Sequence, residues 1–520
     1  MICSKKVALS LLTLSAAAIA AFFLYSKGYL RHGSFKKKPS SQSGKKDIIS
    51  KLPDDILVSI ISHLPVKCGI RTSILSNRWW NLYRYVSTVK LECRDLLGSR
   101  YDRHRPPKFT VYFDEDKFHD TNLVIVSAIR FLRLRFSSTI RYFHLSCCFY
   151  KVTPDQLKEF FCTLRVEKLA LSCGCYLRAS VVEISVYNLS QITSLQYLKL
   201  SLCTLVPISN TQYSSLQIIS LSHVKIKDGT IESIFSNCLV LRSLRIGNCK
   251  CPSKLCFKGP NLQLKSLCIN NCKGVNRIEF DASSLVLFEF SGREMVDFIF
   301  EHVPQLQSIS LYTFKENNVP YACSRLAKDL PRLKSLTFVA RGDHFQGSVK
   351  SMGINMFNNL RRLDLSLYSG SQIDLLLLTS FLRSCPLLQE FHLNTNFVDI
   401  IGPEVKKQEE VIIHSELKKM EISGFVGTEN EIEFASYILK SATCLEKMVI
   451  SRCLKKYTGS ARRRSRFETP WSEEMRRTIH ARLQGKAISE AALVVIQYHT
   501  TAHIEDDNWG RTEDDCMIFA

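Results

Sequence analysis

Catalytic signatures are missing from this 520-residue chain. It has no glycine-rich P-loop, no G-x-G-x-x-G, no H-E-x-x-H for zinc and no G-x-S-x-G nucleophile turn. Its 13 histidines are scattered, and no Cys/His/Asp constellation stands out. Catalysis by this chain is therefore not expected, and neither a metal nor a cofactor is. Acid is scarce as well: 48 Asp and Glu stand against 70 Lys and Arg, for a net charge of +22. Such an excess could signal nucleic acid, but its distribution argues otherwise. Residues 1–46 hold nine Lys/Arg and no acid, the stretch 455–486 holds ten against three, and the end of the chain is acidic. Only about +10 is left for the body, spread too thinly for a phosphate track, so no specific nucleic-acid partner is expected. The 20 cysteines are irregularly spaced in a long chain, which excludes a small disulfide scaffold and suggests a reduced body.

One stretch lacks charge altogether. Val7 to Tyr25, VALSLLTLSAAAIAAFFLY, is just long enough to cross a bilayer. More Lys and Arg follow it than precede it, so as an anchor it leaves the body on the cytosolic face of a membrane. Two alternatives stay open. Ala18-Ile19-Ala20 could be a signal-peptidase site, giving a luminal protein with a sequon at Asn188, or the segment never inserts, which leaves the body in cytoplasm or nucleus. Residues 31–46, rich in Lys, Ser and Gly, read as a linker.

Residues 47–92 are compact in pattern. Pro53 suits a helix start, and Asp54 and Asp55 suit the positive end of its dipole. Ile56, Leu57, Ile60, Ile61 and Leu64 form a stripe, and Pro65 stops the helix. A second helical stretch carries Ile70, Ile74, Leu75 and Trp79. So short a unit cannot bury all of this alone, so either an outside partner or the rest of the chain must cover it. The segment resembles an F-box of the plant type, through Leu52-Pro53-Asp54-Asp55-Ile56-Leu57, Ile60, Leu64-Pro65, Arg71-Thr72-Ser73-Ile74-Leu75-Ser76 and Arg78-Trp79. Gly69 departs from that pattern, at a local helix cost of about 1 kcal/mol. The resemblance implies docking onto a Skp-type adaptor, and through it onto a cullin and a RING protein. It assigns the adaptor contact to Leu52, Pro53, Ile56, Leu57, Ile60, Leu64, Pro65, Leu75 and Trp79.

From residue 140 a pattern with apolar residues at positions 1, 4 and 6 recurs. It starts at Ile140, Val166, Leu195, Leu216, Leu241, Leu264, Leu285, Leu306, Leu333, Leu360, Leu388, Leu417 and Leu445. The spacing is that of leucine-rich repeats, which stack into a solenoid because one repeat cannot bury its own face. Cysteine often stands at position 9 (Cys148, Cys203, Cys249, Cys272, Cys453), where its side chain satisfies backbone groups after the strand. The residue between positions 4 and 6 should face the concave side. That row includes Lys199, Arg245, Glu289, Asp364 and His392, the candidate target-facing residues. Its mixed signs fit a protein target better than a polyanion.

Residues 414–451 read as strand, Gly-containing loop, helix and strand, with Ile432, Ala435, Ile438 and Leu439 on the apolar face of the helix. They resemble the FBD region of plant F-box proteins through Gly424-Phe425, Gly427, Glu431, Phe434, Leu439-Lys440 and Leu445-Glu446-Lys447-Met448. The expected fold is α/β: a three-helix F-box (47–92), a connecting segment (93–139), a curved repeat solenoid (140–454) and a charged tail (455–520) behind the segment 1–46. The expected role is the substrate-recognition subunit of an SCF-type ubiquitin ligase. The alternative is a membrane-associated or luminal recognition protein without a ligase role.

Overall fold

The computed structural model describes residues 49–97, 122–134, 140–173, 182–207, 215–313, 319–348, 355–368, 374–396, 412–466 and 471–497, apart from 65, 148, 150–151, 186–188, 260–261, 343, 346–347 and 460–461. The apolar segment Val7 to Tyr25, the linker behind it, Pro65, Cys148, Asn188 and the acidic end after residue 497 lie outside these residues. Among the described residues no helix is long and apolar enough to cross a membrane. The chain divides into two compact units, 1–91 with 134–143, and 92–133 with 144–520.

Among the described residues the first unit contains three α-helices: α1 (Asp54–Ser62), α2 (Val66–Thr72) and α3 (Asn77–Tyr83). Pro53 caps α1, and Asp54 and Asp55 occupy its first turn. The second helical stretch of the sequence is thus two helices. The Thr72 and Ser73 hydroxyls donate back to the carbonyls of Gly69 and Ile70, closing α2. Ser76 then accepts a hydrogen bond from the Trp79 amide (3.4 Å) and starts α3. Leu57, Ile61, Trp79, Leu82 and Val86 fill the interior, with Leu52, Val58 and Tyr83 packed against them. Gly69 has a reason: a Cβ there would lie 3.2 Å from the Tyr83 ring and 3.4 Å from Ile61, so its absence lets α2 close onto both neighbours.

In the second unit, thirteen strands of the described residues stand side by side in one sheet, from Lys168–Ser172 to Leu493–Gln497. All their described pairings are parallel and in register. Each strand carries positions 4 and 6 inward. Leu198 and Leu200, Leu244 and Ile246, Leu363 and Leu365, and Met448 and Ile450 are all buried. This is the curved leucine-rich-repeat solenoid that the periodicity predicts.

The return segments depend on repeat length. Between the starts at 241, 264, 285 and 306 there is little room for a helix. There the returns are strands, Lys254–Lys258, Arg277–Asp281 and Asp297–His302, pairing in a second parallel sheet. Phenylalanines fill the gap between the sheets: Phe257 stacks on Phe280 (5.8 Å between ring centres) and Phe280 on Phe300 (4.8 Å). Longer repeats carry helices, such as Pro154–Thr163, which starts on the expected Thr153–Gln156 capping box.

The array continues past residue 454, where the sequence pattern places the start of a charged tail. Trp471 is buried, α5 (Glu473–Leu483) packs on α4 (Glu429–Ser441), and Leu493–Gln497 pairs in parallel with Lys447–Ser451. The fourteenth pattern was hidden because its first position is Ala491 rather than a large aliphatic residue.

Candidate functional site

Two surfaces stand out, one in each unit. On the first unit, Leu57 and Trp79 are interior and present almost no surface, so in this conformation they hold the bundle rather than meet a partner. Leu52, Ile60 and Leu64 are half-buried, and Pro53 is exposed. Ile56 is 44% exposed and Leu75 61%. Two further residues join them that the resemblance did not single out for contact: Ile70 at 40% and Ile74 at 83%. Ile74 and Leu75 are exposed because the chain leaves α2 at Thr72. The outward aliphatics survive on a unit whose interior is already filled. Arg78 fixes the entry to α1 by donating to the Asp54 carboxylate (2.9 Å from Nε) and to the Leu52 carbonyl (2.7 Å).

On the second unit the sheet register carries Ala170, Lys199, Ser220, Arg245, Cys268, Glu289, Ser310, Thr337, Asp364, His392, Glu421 and Val449 in one continuous row. Lys199 and Arg245 are half-exposed. Glu289, Asp364 and His392 are buried, only 2%, 5% and 7% exposed. They occupy the expected row, yet they offer little surface to a target, because strands about 4.8 Å apart let neighbours cover the shorter side chains. Asp364 accepts from Arg362 Nε (3.1 Å) and Thr337 Oγ1 (3.5 Å). His392 Nδ1 meets Glu421 at 3.0 Å. Arg362 also reaches Glu390 (3.3 Å), and Lys419 reaches Glu390 (3.2 Å). Arg362, Glu390 and Lys419 sit at position 3 of their repeats, two residues before the row and on the same face. Their place was readable in the pattern, though their pairing was not.

The position-9 cysteines behave as structural groups. Cys249 Sγ lies 3.4 Å from the Val224 amide and 3.2 Å from the Gly247 carbonyl. Cys272 Sγ lies 3.4 Å from the Ile246 carbonyl. Burial pushes the thiols of Cys238 and Cys385 up to about 12, so neither is a thiolate nucleophile at neutral pH. Among the described residues no group of His, Cys, Asp or Glu is placed to hold a metal ion, and no two cysteines are joined by a disulfide.

The C-terminal repeats are locked by Glu431. Its buried carboxylate accepts from the amides of Val426 (3.0 Å), Gly427 (2.8 Å) and Thr428 (3.0 Å), and from the Thr428 and Thr395 hydroxyls. Burial pushes its pKa up, while these donors pull it down. Trp471 Nε1 closes the same loop by donating to the carbonyls of Phe425 (3.1 Å) and Val426 (3.2 Å).

A helical bundle joined to an array of parallel-stranded leucine-rich repeats defines a recognition protein of the F-box/leucine-rich-repeat class. The comparisons agree. Residues 131–499 match the family model of the At1g61320/AtMIF1 leucine-rich-repeat domain, a span that includes Trp471 to Gln497. The chain belongs to that family. It is 25% identical over 437 residues to the FBD-associated F-box protein At5g60610 of Arabidopsis thaliana, covering 78% of this chain and 100% of that one. It is 25% identical over 450 residues to the F-box/FBD/LRR-repeat protein At1g13780 of the same plant, covering 78% and 91%. With the F-box/LRR-repeat protein At3g03360 of that plant it shares 30% identity over 218 residues, covering 41% and 40%. The chain is thus a plant-type F-box/leucine-rich-repeat protein with an FBD-like C-terminal region.

Proposed function

We propose that this chain is the substrate-recognition subunit of an SCF-type ubiquitin ligase, a non-catalytic receptor that docks a Skp-type adaptor through its helical bundle and a protein target through its repeats. One observation carries the reading. Ile56, Ile70, Ile74 and Leu75 stay exposed on a bundle whose interior is complete without them. Covering what remains exposed of these side chains is worth about 25 cal/mol per Å² of apolar surface, so a partner that buries them gains free energy that solvent cannot offer. The mechanism is proximity: target lysines are held at high effective concentration near the ubiquitin carrier that the cullin and RING protein bring. Lys199 and Arg245 stay half-exposed on the concave row, and Arg362, Glu390 and Lys419 add both signs of charge on the same face, a mixed surface that supports a peptide or protein as the target. The charge-free length of Val7 to Tyr25 and the Lys and Arg that follow it support an anchor that leaves the body at the cytosolic face of a membrane, and we include that in the proposal.

The test is reconstitution with purified adaptor, cullin and RING protein. Co-elution of the full chain with all three supports the reading. A chain that elutes apart from them, while its circular dichroism shows it folded, overturns it.

A further inference from the structure

Folding gathers the positive charge of the solenoid that the sequence spreads thinly. Residues 216–284, three consecutive repeats, hold ten Lys/Arg against four Asp/Glu. All four acids fall in return segments: Asp228 before the helix Thr230–Asn237, Glu232 on it, and Glu279 and Asp281 on the strand Arg277–Asp281. Four cations fall there too. Lys254, Lys258 and Arg277 surround Glu279 at 3.0, 3.1 and 2.8 Å, and Lys227 meets Glu183 at 2.6 Å. The other six, Arg242, Arg245, Lys265, Lys225, Lys250 and Lys273, lie on or beside the concave strands with no acid among them.

Backbone geometry stacks three of them. His223, Asn248 and Asn271 directly follow the strands Ile218–Ser222, Ser243–Gly247 and Ser266–Asn270, and each turns left-handed, with φ of 56°, 52° and 49°. The same turn repeated three times puts the residue two places later into one row. Lys225 bridges Lys250, and Lys250 bridges Lys273, both in parallel. Adjacent members of such a row are about 4.8 Å apart. Val224 and Ile226 are buried on either side of Lys225, as Cys249 and Cys251 are around Lys250, so these lysines turn outward. All three lysines are exposed, and no carboxylate of the described residues pairs with them. Like charges side by side destabilise a ladder, so an anionic cover relieves it. The row spans about 10 Å, which suits a short extended segment and falls well below a duplex track of about 6–10 phosphates. A single strand of nucleic acid would need aromatic side chains to stack on. The three aromatics of this stretch, Phe235, Phe257 and Phe280, are all buried. Carboxylates of a peptide fit what remains.

We propose that the lysine ladder Lys225–Lys250–Lys273 docks an acidic segment of the protein target. The inference rests on the receptor reading above and adds the chemistry of what is received. The test is lysine footprinting of the full chain with N-hydroxysuccinimidyl acetate, the acetylation rate of each lysine being read by mass spectrometry with and without octaglutamate. The peptide should slow acetylation of Lys225, Lys250 and Lys273 several-fold. It should leave Lys328, Lys440 and Lys447, exposed lysines of other repeats, unchanged. Protection should vanish between 0.1 and 1 M salt, as the screening length drops from about 10 to 3 Å. In a Lys225→Gln/Lys250→Gln chain, Lys273 should lose its protection. Equal protection at all six lysines, or none at the ladder, overturns the proposal. So does equal protection of the ladder by octathymidylate, which would make it a general polyanion surface. The same double variant should still co-elute with the adaptor, so failure of the footprint and failure of adaptor docking are separate results.

Discussion

Alanine at Gly427 should open the C-terminal end of the array, and by more than the same change at Gly229. Both glycines have positive φ, +103° and +73°. A side chain in that region costs about 1–2 kcal/mol of backbone strain. At Gly229 nothing lies within 4 Å of the added Cβ, so strain is the whole effect. At Gly427 the Cβ would sit 2.8 Å from Met475 Sδ and 3.3 Å from Ile479 Cδ1, both on α5. Both atoms are the far ends of flexible side chains and Met475 is half-buried, so overpacking adds only about 1 kcal/mol. Gly427→Ala should therefore cost about 2–3 kcal/mol in all. Most of the excess belongs to the closer contact, so Met475→Ala should relieve it, with a coupling of about 1 kcal/mol in the double-mutant cycle. Hydrogen exchange of the α5 amides reads this locally, which suits an array that need not unfold all at once. Equal losses at the two glycines, or purely additive effects of Gly427→Ala and Met475→Ala, would refute the packing argument.

Three further outcomes follow. Glu431→Gln should loosen the Phe425–Thr428 loop by about 1–3 kcal/mol, since an amide cannot accept from every donor the carboxylate serves; exchange of the Val426 and Gly427 amides checks it. Glu279 is held down to about 2 by Lys254 and Lys258 beside it, so its ion pairs stabilise the fold fully above the ordinary carboxylate range. That contribution is lost as pH falls through about 2, and Glu279→Gln should flatten the acid limb of a stability-against-pH curve followed by circular dichroism. Leu57→Ala, which hollows the filled interior of the bundle, should cost about 2–5 kcal/mol, whereas Ile74→Ala should leave thermal unfolding within about 0.5 kcal/mol.

The repeat starts were legible because stacking demands a large aliphatic at fixed positions, and every start from Val166 to Leu445 precedes a strand of the one sheet. Ala491 broke that signal. The second sheet of returns was not legible, because strands such as Lys254–Lys258 are too short for a periodicity to stand out. Around the helical bundle, the sequence pattern supplied the apolar residues but could not sort them. Leu57 and Ile56 are adjacent in one stripe, yet only the packing of α2 and α3 decides that Leu57 turns inward and Ile56 outward. The Ser76 cap was the readable clue that Ile74 and Leu75 fall in a turn. On the concave row, sequence placed Glu289, Asp364 and His392 correctly in register. Their burial depends on neighbours from adjacent repeats, which no single repeat reveals.

The most direct measurement is the affinity of the full chain for a purified Skp-type adaptor, taken by calorimetry for the natural protein and for Ile74→Asp/Leu75→Asp. Loss of two exposed apolar contacts from the docking surface should weaken binding by about a hundredfold or more, with thermal unfolding unchanged. Equal affinity of the two proteins, both folded, would contradict the assignment of this surface to the adaptor.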